Sequence, residues 1–205
     1  MSRIKLAGEI INTADIKSVL DVGCRDNSLK GVLRNTIEYY GNDIVQNKEG
    51  GVNFVGDFLH FEFKQLLFDA VVGLDVLEHT DDPYSFLNKM NSVASKMIII
   101  NLPNIYNIKK RFSFMFRGTL GNKYRFNVDN SLDRHRWVMG RNEIIEFYKH
   151  QAKILNVDLK IVEVSFGSQD NGISGVFKKI LSFVFSKNLM VSSVFGVFIK
   201  KGELK

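Results

Sequence analysis

Acidic residues that could bind a nucleoside recur along the first half of the chain. Asp43 follows the turn at Gly23 by about 20 residues, a spacing at which a carboxylate accepts hydrogen bonds from both hydroxyls of a ribose. Asp57 can accept a hydrogen bond from an adenine amino group, while its apolar neighbour Phe58 packs on the ring. Together these residues predict a site for an adenosine-type ligand.

A second set of residues could move a proton. Glu78 and His79 are adjacent, and His135 lies far along the chain, as does a fourth candidate, Asp133. A general base of this kind accepts the proton of a reacting hydroxyl. For His79 a purely structural role, in capping or packing ahead of a helix at Pro83, stays open.

His135 lies in a dense polar cluster that also holds Arg134, Arg136 and Trp137. Guanidinium groups clamp phosphates with two hydrogen bonds, and a tryptophan ring stacks on apolar ring faces. We therefore predict substrate contacts from these three residues, for an acidic or sugar substrate. The alternative is a salt-bridged loop that only anchors its own segment.

Short apolar runs alternate with helical patterns, and this order must position the polar residues. Such runs predict buried strands, and their alternation with helices predicts a parallel sheet covered on both faces. The predicted strands are Ser18–Gly23, Tyr39–Val45, Val52–Gly56, Asp69–Leu74 and Lys96–Leu102. A helix is expected after the first strand, and another at Pro83 with Asp81 or Asp82 as its cap.

The second half of the chain has a different pattern. Residues 104–139 are basic and aromatic, and predict an insertion or cap on a single domain that spans residues 1–205. A helix over residues 144–155 then leads to two closing strands, Val157–Phe166 and Val194–Lys200. We expect these two strands to form an antiparallel pair at one edge of the sheet.

In an open parallel sheet, ligands bind beyond the carboxyl ends of the strands. Gly23 allows a tight turn and a close approach of the ligand to the backbone. Asn27 is one of the few non-glycine residues that tolerate a left-handed conformation. Polar residues follow four successive strands, which is a more specific signal than any one of them alone.

Four of these segments resemble, in order and spacing, the motifs of class I S-adenosylmethionine (SAM)-dependent methyltransferases. They read VLDVGC, YYGNDI, VGDF and LDVLEHTDDP. The LEH stretch is similar to a small-molecule branch that includes ubiquinone-biosynthesis and MetW-like enzymes. More loosely, NLPNIY and DRHRW resemble methyltransferases of surface-polysaccharide clusters.

The resemblance implies an α/β, Rossmann-like three-layer αβα sandwich whose mostly parallel seven-stranded sheet has an antiparallel C-terminal edge strand. It also implies a cofactor site at the strand ends. The methionine part would contact Asp21, Gly23, Cys24 and Arg25, and the ribose side would contact Asp43 and Ile44. The adenine would contact Asp57 and Phe58, and the sulfonium would lie beside Asp75 and Val76. The sequence departs from the family pattern G-x-G-x-G, because Arg25 and Asn27 replace the second and third glycines.

The function expected from this resemblance is methyl transfer from SAM to a small-molecule or glycan-type acceptor, at oxygen, with S-adenosylhomocysteine as product. A non-catalytic binding module and an RNA methyltransferase stay open as alternatives. Because no Cys/His set has the spacing of a zinc site, we expect no metal. Glu78, His79 and His135 are the predicted catalytic residues.

Charge and composition limit the partners and the compartment. The single cysteine, Cys24, excludes an internal disulfide, and with no signal peptide at the N-terminus we expect a cytoplasmic protein. The net charge is +6, and the positive charge collects on residues 104–139. Basic and aromatic residues together suit RNA, a phosphorylated glycolipid or an anionic membrane surface, whereas an amphipathic helix packed on the core would have the same composition. The apolar segment Gly175–Met190 could pack on the sheet, form a homodimer contact or touch a membrane.

Overall fold

A seven-stranded sheet forms the centre of the computed structural model, which describes residues 2–64, 66–125, 134–165 and 186–202. The strands are β1 (Ser18–Val22), β2 (Glu38–Asp43), β3 (Phe54–Val55), β4 (Phe68–Leu74), β5 (Ala94–Pro103), β6 (Val157–Ser165) and β7 (Val191–Lys200). The helices are α1 (Arg3–Thr13), α2 (Pro83–Val93), α3 (Ile108–Arg117), α4 (Arg141–Ile154) and the short α5 (Lys187–Met190).

The strand order in the sheet is β3-β2-β1-β4-β5-β7-β6. The first five strands are parallel, and β7 is antiparallel to both of its neighbours, β5 and β6. The predicted fold class is therefore confirmed. One detail differs, since the antiparallel strand β7 is second from the edge and β6 forms the edge itself.

Both faces of the sheet are covered, which is why its strands are almost uniformly apolar. Leu20, Val71 and Ile98 face one hydrophobic cluster, which includes residues of α2 and α4. Their chain neighbours Val19 and Val72 face the other cluster, which includes residues of α1. The alternation of the two clusters along each strand follows from the two-residue period of a β-strand.

The prediction of a helix directly after β1 is wrong. The segment between β1 and β2 contains only a 3₁₀ turn, Lys30–Val32, whose first residue has no side-chain cap. Leu29 and Ile37 are still buried, but they pack against the second cluster from irregular backbone. Asn12 of α1 holds this segment, because its amide donates to the carbonyl of Val32 and accepts from the N–H of Arg34.

Helix α2 begins as the sequence predicts. The Asp82 carboxylate accepts hydrogen bonds from the N–H groups of Tyr84 and Ser85, both at 3.0 Å, and Pro83 occupies the first turn. Of the two candidate caps, Asp82 is the one used. Phe86, Leu87, Met90 and Val93 form the buried face of the helix.

Helix α3 begins the basic segment and none of its residues is buried. Phe114 and Phe116 are 60% and 74% exposed, so the alternative in which its aromatic side chains pack on the core is wrong. The candidate base Asp133 and most of the predicted apolar segment Gly175–Met190 lie outside the described residues. Among the described helices, none has the length and apolar character needed to cross a bilayer.

Gly196→Ala should lower the stability of the closing strands. A Cβ at this position of β7 would lie 2.8 Å from Cδ2 of Tyr148 and 2.9 Å from Cε2 of Phe198, both fully buried rings. We expect a loss of roughly 1–3 kcal/mol in the free energy of unfolding, measured by urea titration. Gly31→Ala is the matched control, because a Cβ there meets no atom within 4 Å. Equal stability of the two variants would contradict this packing.

Candidate functional site

The carboxyl ends of the parallel strands are joined by backbone hydrogen bonds into one continuous edge. The N–H of Gly23 donates to the carbonyl of Asn42 at 2.8 Å, and the N–H of Gly56 donates to the carbonyl of Asp43 at 2.8 Å. The N–H of Asp75 donates to the carbonyl of Asn101 at 3.1 Å. The polar residues that follow β1, β2, β3 and β4 therefore lie along one edge, as the sequence predicts.

The turn after β1 contains three residues in the left-handed region: Gly23 (φ 70°), Arg25 (φ 51°) and Asn27 (φ 57°). These are the three glycine positions of the G-x-G-x-G pattern. The backbone conformation that glycine favours is therefore kept at Arg25 and Asn27, although a left-handed arginine is strained. The departure in sequence does not change the conformation of this turn at the three positions.

Close approach explains why Gly23 and Gly41 carry no side chain. A Cβ on Gly23 would lie 2.6 Å from Cγ2 of Val76, and a Cβ on Gly41 would lie 2.7 Å from Sγ of Cys24. The turn is thus packed directly on β2 and on Val76, the second residue after β4. Burial raises the pKa of the Cys24 thiol to about 12, so this cysteine is not a nucleophile at neutral pH.

The carboxylate of Asp43 accepts a hydrogen bond from the N–H of Arg25 at 2.8 Å. This bond fixes the carboxylate at the strand end, beside the left-handed turn. The next residue, Ile44, exposes 59% of its surface. An exposed apolar side chain beside a fixed carboxylate suits a sugar with an attached aromatic ring.

Asp21 is a buried acid beneath the same turn. Burial raises its pKa to about 7, and the nearby Asp43 and Asp26 carboxylates add to this, whereas the hydrogen bond from Tyr39 opposes it. The Tyr39 hydroxyl lies 2.8 Å from Asp21 and 3.2 Å from the side-chain oxygen of Asn27. The hydroxyl donates to Asp21, and because it carries one proton it donates to only one of these two oxygens at a time.

Asp57 and Phe58 follow β3 but point differently. Asp57 is exposed, and one of its oxygens accepts a hydrogen bond from the N–H of Leu59 at 2.9 Å. Phe58 is only 3% exposed and its ring packs against Phe63 and Phe86 in the core. The prediction that the Phe58 ring packs on adenine is therefore wrong, because the ring belongs to the core and only its backbone remains for a ligand.

Asp75 follows β4 in a left-handed conformation, with φ 57°. One of its oxygens accepts a hydrogen bond from the amide of Asn101, and the other pairs with Arg3 at the start of α1. Sequence reasoning missed both α1 and Arg3. The Ser2 cap, whose hydroxyl accepts from the N–H of Lys5, is a local signal that could have indicated this helix.

The three candidate bases come together although His135 is 56 residues from His79. One ligand atom each from Glu78, His79 and His135 lies within 4.8 Å of the others. Glu78 is only 1% exposed, and burial raises its pKa to about 7, although Arg3 and Lys123 oppose the shift. The three residues have no recognisable sequence spacing and only the fold assembles them, and the expectation of no metal stays a prediction.

Residues 134–137 are hydrogen-bonded along residues 78–80. Arg136 donates from its backbone to the Glu78 carbonyl at 2.8 Å and from its guanidinium to the His79 carbonyl at 3.0 Å, and it also pairs with Asp81. The indole N–H of Trp137 donates to the Thr80 carbonyl at 2.8 Å. Arg136 and Trp137 therefore anchor this segment, while substrate contacts of the exposed Arg134, and of the two anchoring residues, stay predictions.

The chain is similar to a known protein family and to several solved structures. A family model described as "Methionine biosynthesis protein MetW" matches residues 7–129. No curated protein sequence matches the chain.

Solved structures give the fold. The methyltransferase domain of bacterial CtHen1-CN is 17% identical, with a TM-score of 0.63 over 96% of this chain and 97% of that one. A SAM-dependent methyltransferase from Archaeoglobus fulgidus is 18% identical, with a TM-score of 0.62 over 96% of this chain and 91% of that one. The plantazolicin methyltransferase BpumL, in complex with S-adenosylhomocysteine, is 14% identical, with a TM-score of 0.62 over 96% and 82%.

The buried Asp21 should make stability depend on pH. Its pKa is raised from 3.8 to about 7 in the folded protein. At a pH between these two values, the folded state therefore keeps a proton that the unfolded state has released. Stability therefore falls as pH rises through this window, by up to about 4 kcal/mol. Asp21→Asn should remove about half of the fall in the free energy of unfolding measured from pH 5 to pH 8, because the buried Glu78, whose pKa is also raised to about 7, contributes the rest.

Asp82→Asn is the control for this measurement. Asp82 is exposed, and hydrogen bonds from the Ser85 hydroxyl and from the N–H groups of Ser85 and Tyr84 lower its pKa. Its contribution is therefore constant above pH 5, and the variant should keep the slope of the parent protein. An unchanged slope in Asp21→Asn would contradict the burial of a protonated acid.

Proposed function

Since the chain belongs to the MetW family and has the fold of SAM-dependent methyltransferases, we propose that it binds SAM at the strand-end edge and transfers its methyl group to a hydroxyl acceptor. The observation that carries this proposal is the edge itself. A left-handed turn at Gly23, a fixed carboxylate at Asp43 and acids at Asp57 and Asp75 lie at the ends of β1, β2, β3 and β4, which are four consecutive strands of the sheet.

The residues present fit a nucleoside with an amino-acid tail. Any Cβ on Gly23 would collide with Val76, so the backbone is bare where a ligand has to approach it closely. Asp43 would accept the ribose hydroxyls, with the exposed side chain of Ile44 beside the adenine. Asp57 would accept from the adenine amino group, and Asp21 and the Gly23–Arg25 turn would hold the methionine part.

Bound SAM supplies an electrophilic methyl group on a positively charged sulfur. Asp75 and Val76 lie between the turn and the cluster of Glu78, His79 and His135 along the chain, which supports the proposal that this cluster faces the acceptor. The cluster would orient and activate the acceptor hydroxyl. Hydrogen bonds between residues 134–137 and residues 78–80 hold the members of this cluster together.

The acceptor that suits the exposed helix α3 is amphiphilic and anionic. Lys109, Lys110 and Arg111 lie in its first turn, where the helix dipole disfavours cations and which itself contains no acidic residue. Phe112, Phe114, Met115 and Phe116 are 49–74% exposed. A glycolipid at an anionic membrane surface would satisfy both the charge and the apolar area.

This helix is connected to the cluster by direct contacts. The Lys110 ammonium lies 5.1 Å from the centre of the Tyr124 ring, and it donates to the carbonyl of Leu120. The Tyr124 ring lies 4.6 Å from that of His135, which lies 4.5 Å from that of His79. An acceptor held on α3 would thus be adjacent to a continuous path of side chains leading to the proposed reaction centre.

RNA is the second candidate acceptor. The phenyl rings of Phe112 and Phe116 are stacked and exposed, with centroids 5.8 Å apart, and nucleobases stack on such rings beside cations. A small RNA methyltransferase, HEN1, is among the similar structures, with 18% identity and a TM-score of 0.68 over 99% of this chain and 25% of that one. A non-catalytic module is a weaker alternative, because Arg25 and Asn27 keep the left-handed backbone of the glycine turn.

The cofactor proposal predicts binding of S-adenosylhomocysteine, measured by isothermal titration calorimetry. Asp43→Ala should weaken this binding by about 10-fold or more, because a hydrogen bond to a charged group is worth about 1.5–3 kcal/mol. Asp158→Ala, at an exposed position of β6, is the matched control and should bind like the parent protein. No binding by the parent protein at millimolar ligand would refute the proposal.

The acceptor proposal predicts that the protein sediments with vesicles containing anionic phosphatidylglycerol but not with neutral vesicles. Phe114→Ser combined with Phe116→Ser should reduce the bound fraction several-fold, because two of the four large apolar side chains exposed on α3 are lost. Leu67→Ser, 62% exposed and outside α3, is the control. Salt-sensitive binding of single-stranded RNA without vesicle binding would instead support the RNA acceptor.

A further inference from the structure

Glu78 is a buried acid without the partners that burial normally requires. It is 1% exposed, and neither of its carboxylate oxygens has a hydrogen-bond partner within the described part of the chain. Its backbone carbonyl, in contrast, accepts from the N–H of Arg136. A buried carboxylate without partners is costly, and native proteins place one where it pairs with a charge or coordinates a metal.

Two imidazoles share the space around this carboxylate. One ligand atom of each of Glu78, His79 and His135 lies within 4.8 Å of the other two. Around a cation bound at about 2.0–2.2 Å, ligand atoms lie roughly 3–4 Å apart, so the cluster needs only a small contraction to coordinate. A carboxylate with two imidazoles is a common ligand set of divalent transition metals.

The orientation of His79 also suits a metal ligand. Its Nδ1 lies 3.0 Å from the carbonyl oxygen of Arg134. A carbonyl only accepts hydrogen bonds, so Nδ1 carries the proton and the Nε2 of the neutral ring carries the lone pair. Metal-binding histidines typically have such a backbone carbonyl on the opposite nitrogen, where it fixes the tautomer.

We propose that Glu78, His79 and His135 form a binding site for one divalent transition-metal cation, such as Zn²⁺, Mn²⁺ or Co²⁺. Two imidazole nitrogens and one carboxylate provide three protein ligands, which leaves a position for water or a substrate oxygen. The positive charges of Arg3 and Lys123 also favour the ionised form of the Glu78 carboxylate. Arg3 is in addition paired with Asp75.

The role of the cation rests on the proposed function. The cluster lies directly after Asp75 and Val76, the residues expected beside the sulfonium, so the vacant coordination position would take the oxygen of the acceptor. A bound cation would hold that oxygen and lower the pKa of its hydroxyl. The two histidines would then act as ligands rather than as proton acceptors.

Metal binding can be measured on the whole chain without cofactor or acceptor. After treatment with a chelator, titration with Co²⁺ should give visible absorption bands that saturate at one cation per chain. We expect weaker Co²⁺ binding in each of three variants, Glu78→Gln, His79→Gln and His135→Gln. The loss should exceed the roughly 10–100-fold that is typical when a residue that only orients a metal ligand is removed. His150→Gln, at an exposed position on α4, is the control and should bind like the parent protein.

A second measurement needs no substitution and so does not depend on how the variants fold. Substoichiometric Mn²⁺ should broaden the imidazole proton resonances of His79 and His135 before those of His60 and His150. Equal broadening of all four, no saturable Co²⁺ binding, or unchanged affinity in all three variants would overturn the proposal. Binding of S-adenosylhomocysteine in the presence of chelator tests the cofactor site separately, so failure of one proposal is distinguishable from failure of the other.

Discussion

The packing of one left-handed turn on strand β2 is the constraint on which the site depends. Gly23 and Cys24 both donate their N–H groups to the carbonyl of Asn42, and Gly41 leaves room for the Cys24 sulfur. This close approach brings the carboxylate of Asp43 to the N–H of Arg25. The turn is strained at Arg25, and strain of this kind is concentrated at functional sites, where the surrounding structure enforces it.

Acidic groups collect at this edge of the sheet in two different electrostatic states. Asp21 and Glu78 are buried and have pKa values raised to about 7, whereas Asp75 is paired with Arg3. Burying acids with so few partners lowers stability, and such a cost is characteristic of a binding site. A cationic ligand such as a sulfonium, an ammonium group or a metal ion would stabilise the ionised forms of these groups.

The second layer of the site comes from distant segments. Helix α1 supplies Arg3, and residues 134–137 form hydrogen bonds to residues 78–80, so three parts of the chain meet around Glu78. Helix α3 is linked to this meeting point through Lys110, Tyr124 and His135. The proposed cofactor edge is thus local to the first four strands, whereas the proposed reaction centre depends on long-range contacts.

The sequence by itself determined the parallel sheet and the residues at its strand ends. Buried parallel strands are uniformly apolar, and the residue after each strand is local in sequence, so Asp43, Asp57 and Asp75 were identified without coordinates. Only the tertiary structure decided the direction of the Phe58 ring, the absence of a helix at Leu29 within the described segment, and the meeting of Glu78, His79 and His135. Local patterns record neither which side of a strand end a side chain faces nor which distant segment packs on it, because both are set by contacts between residues far apart in the chain.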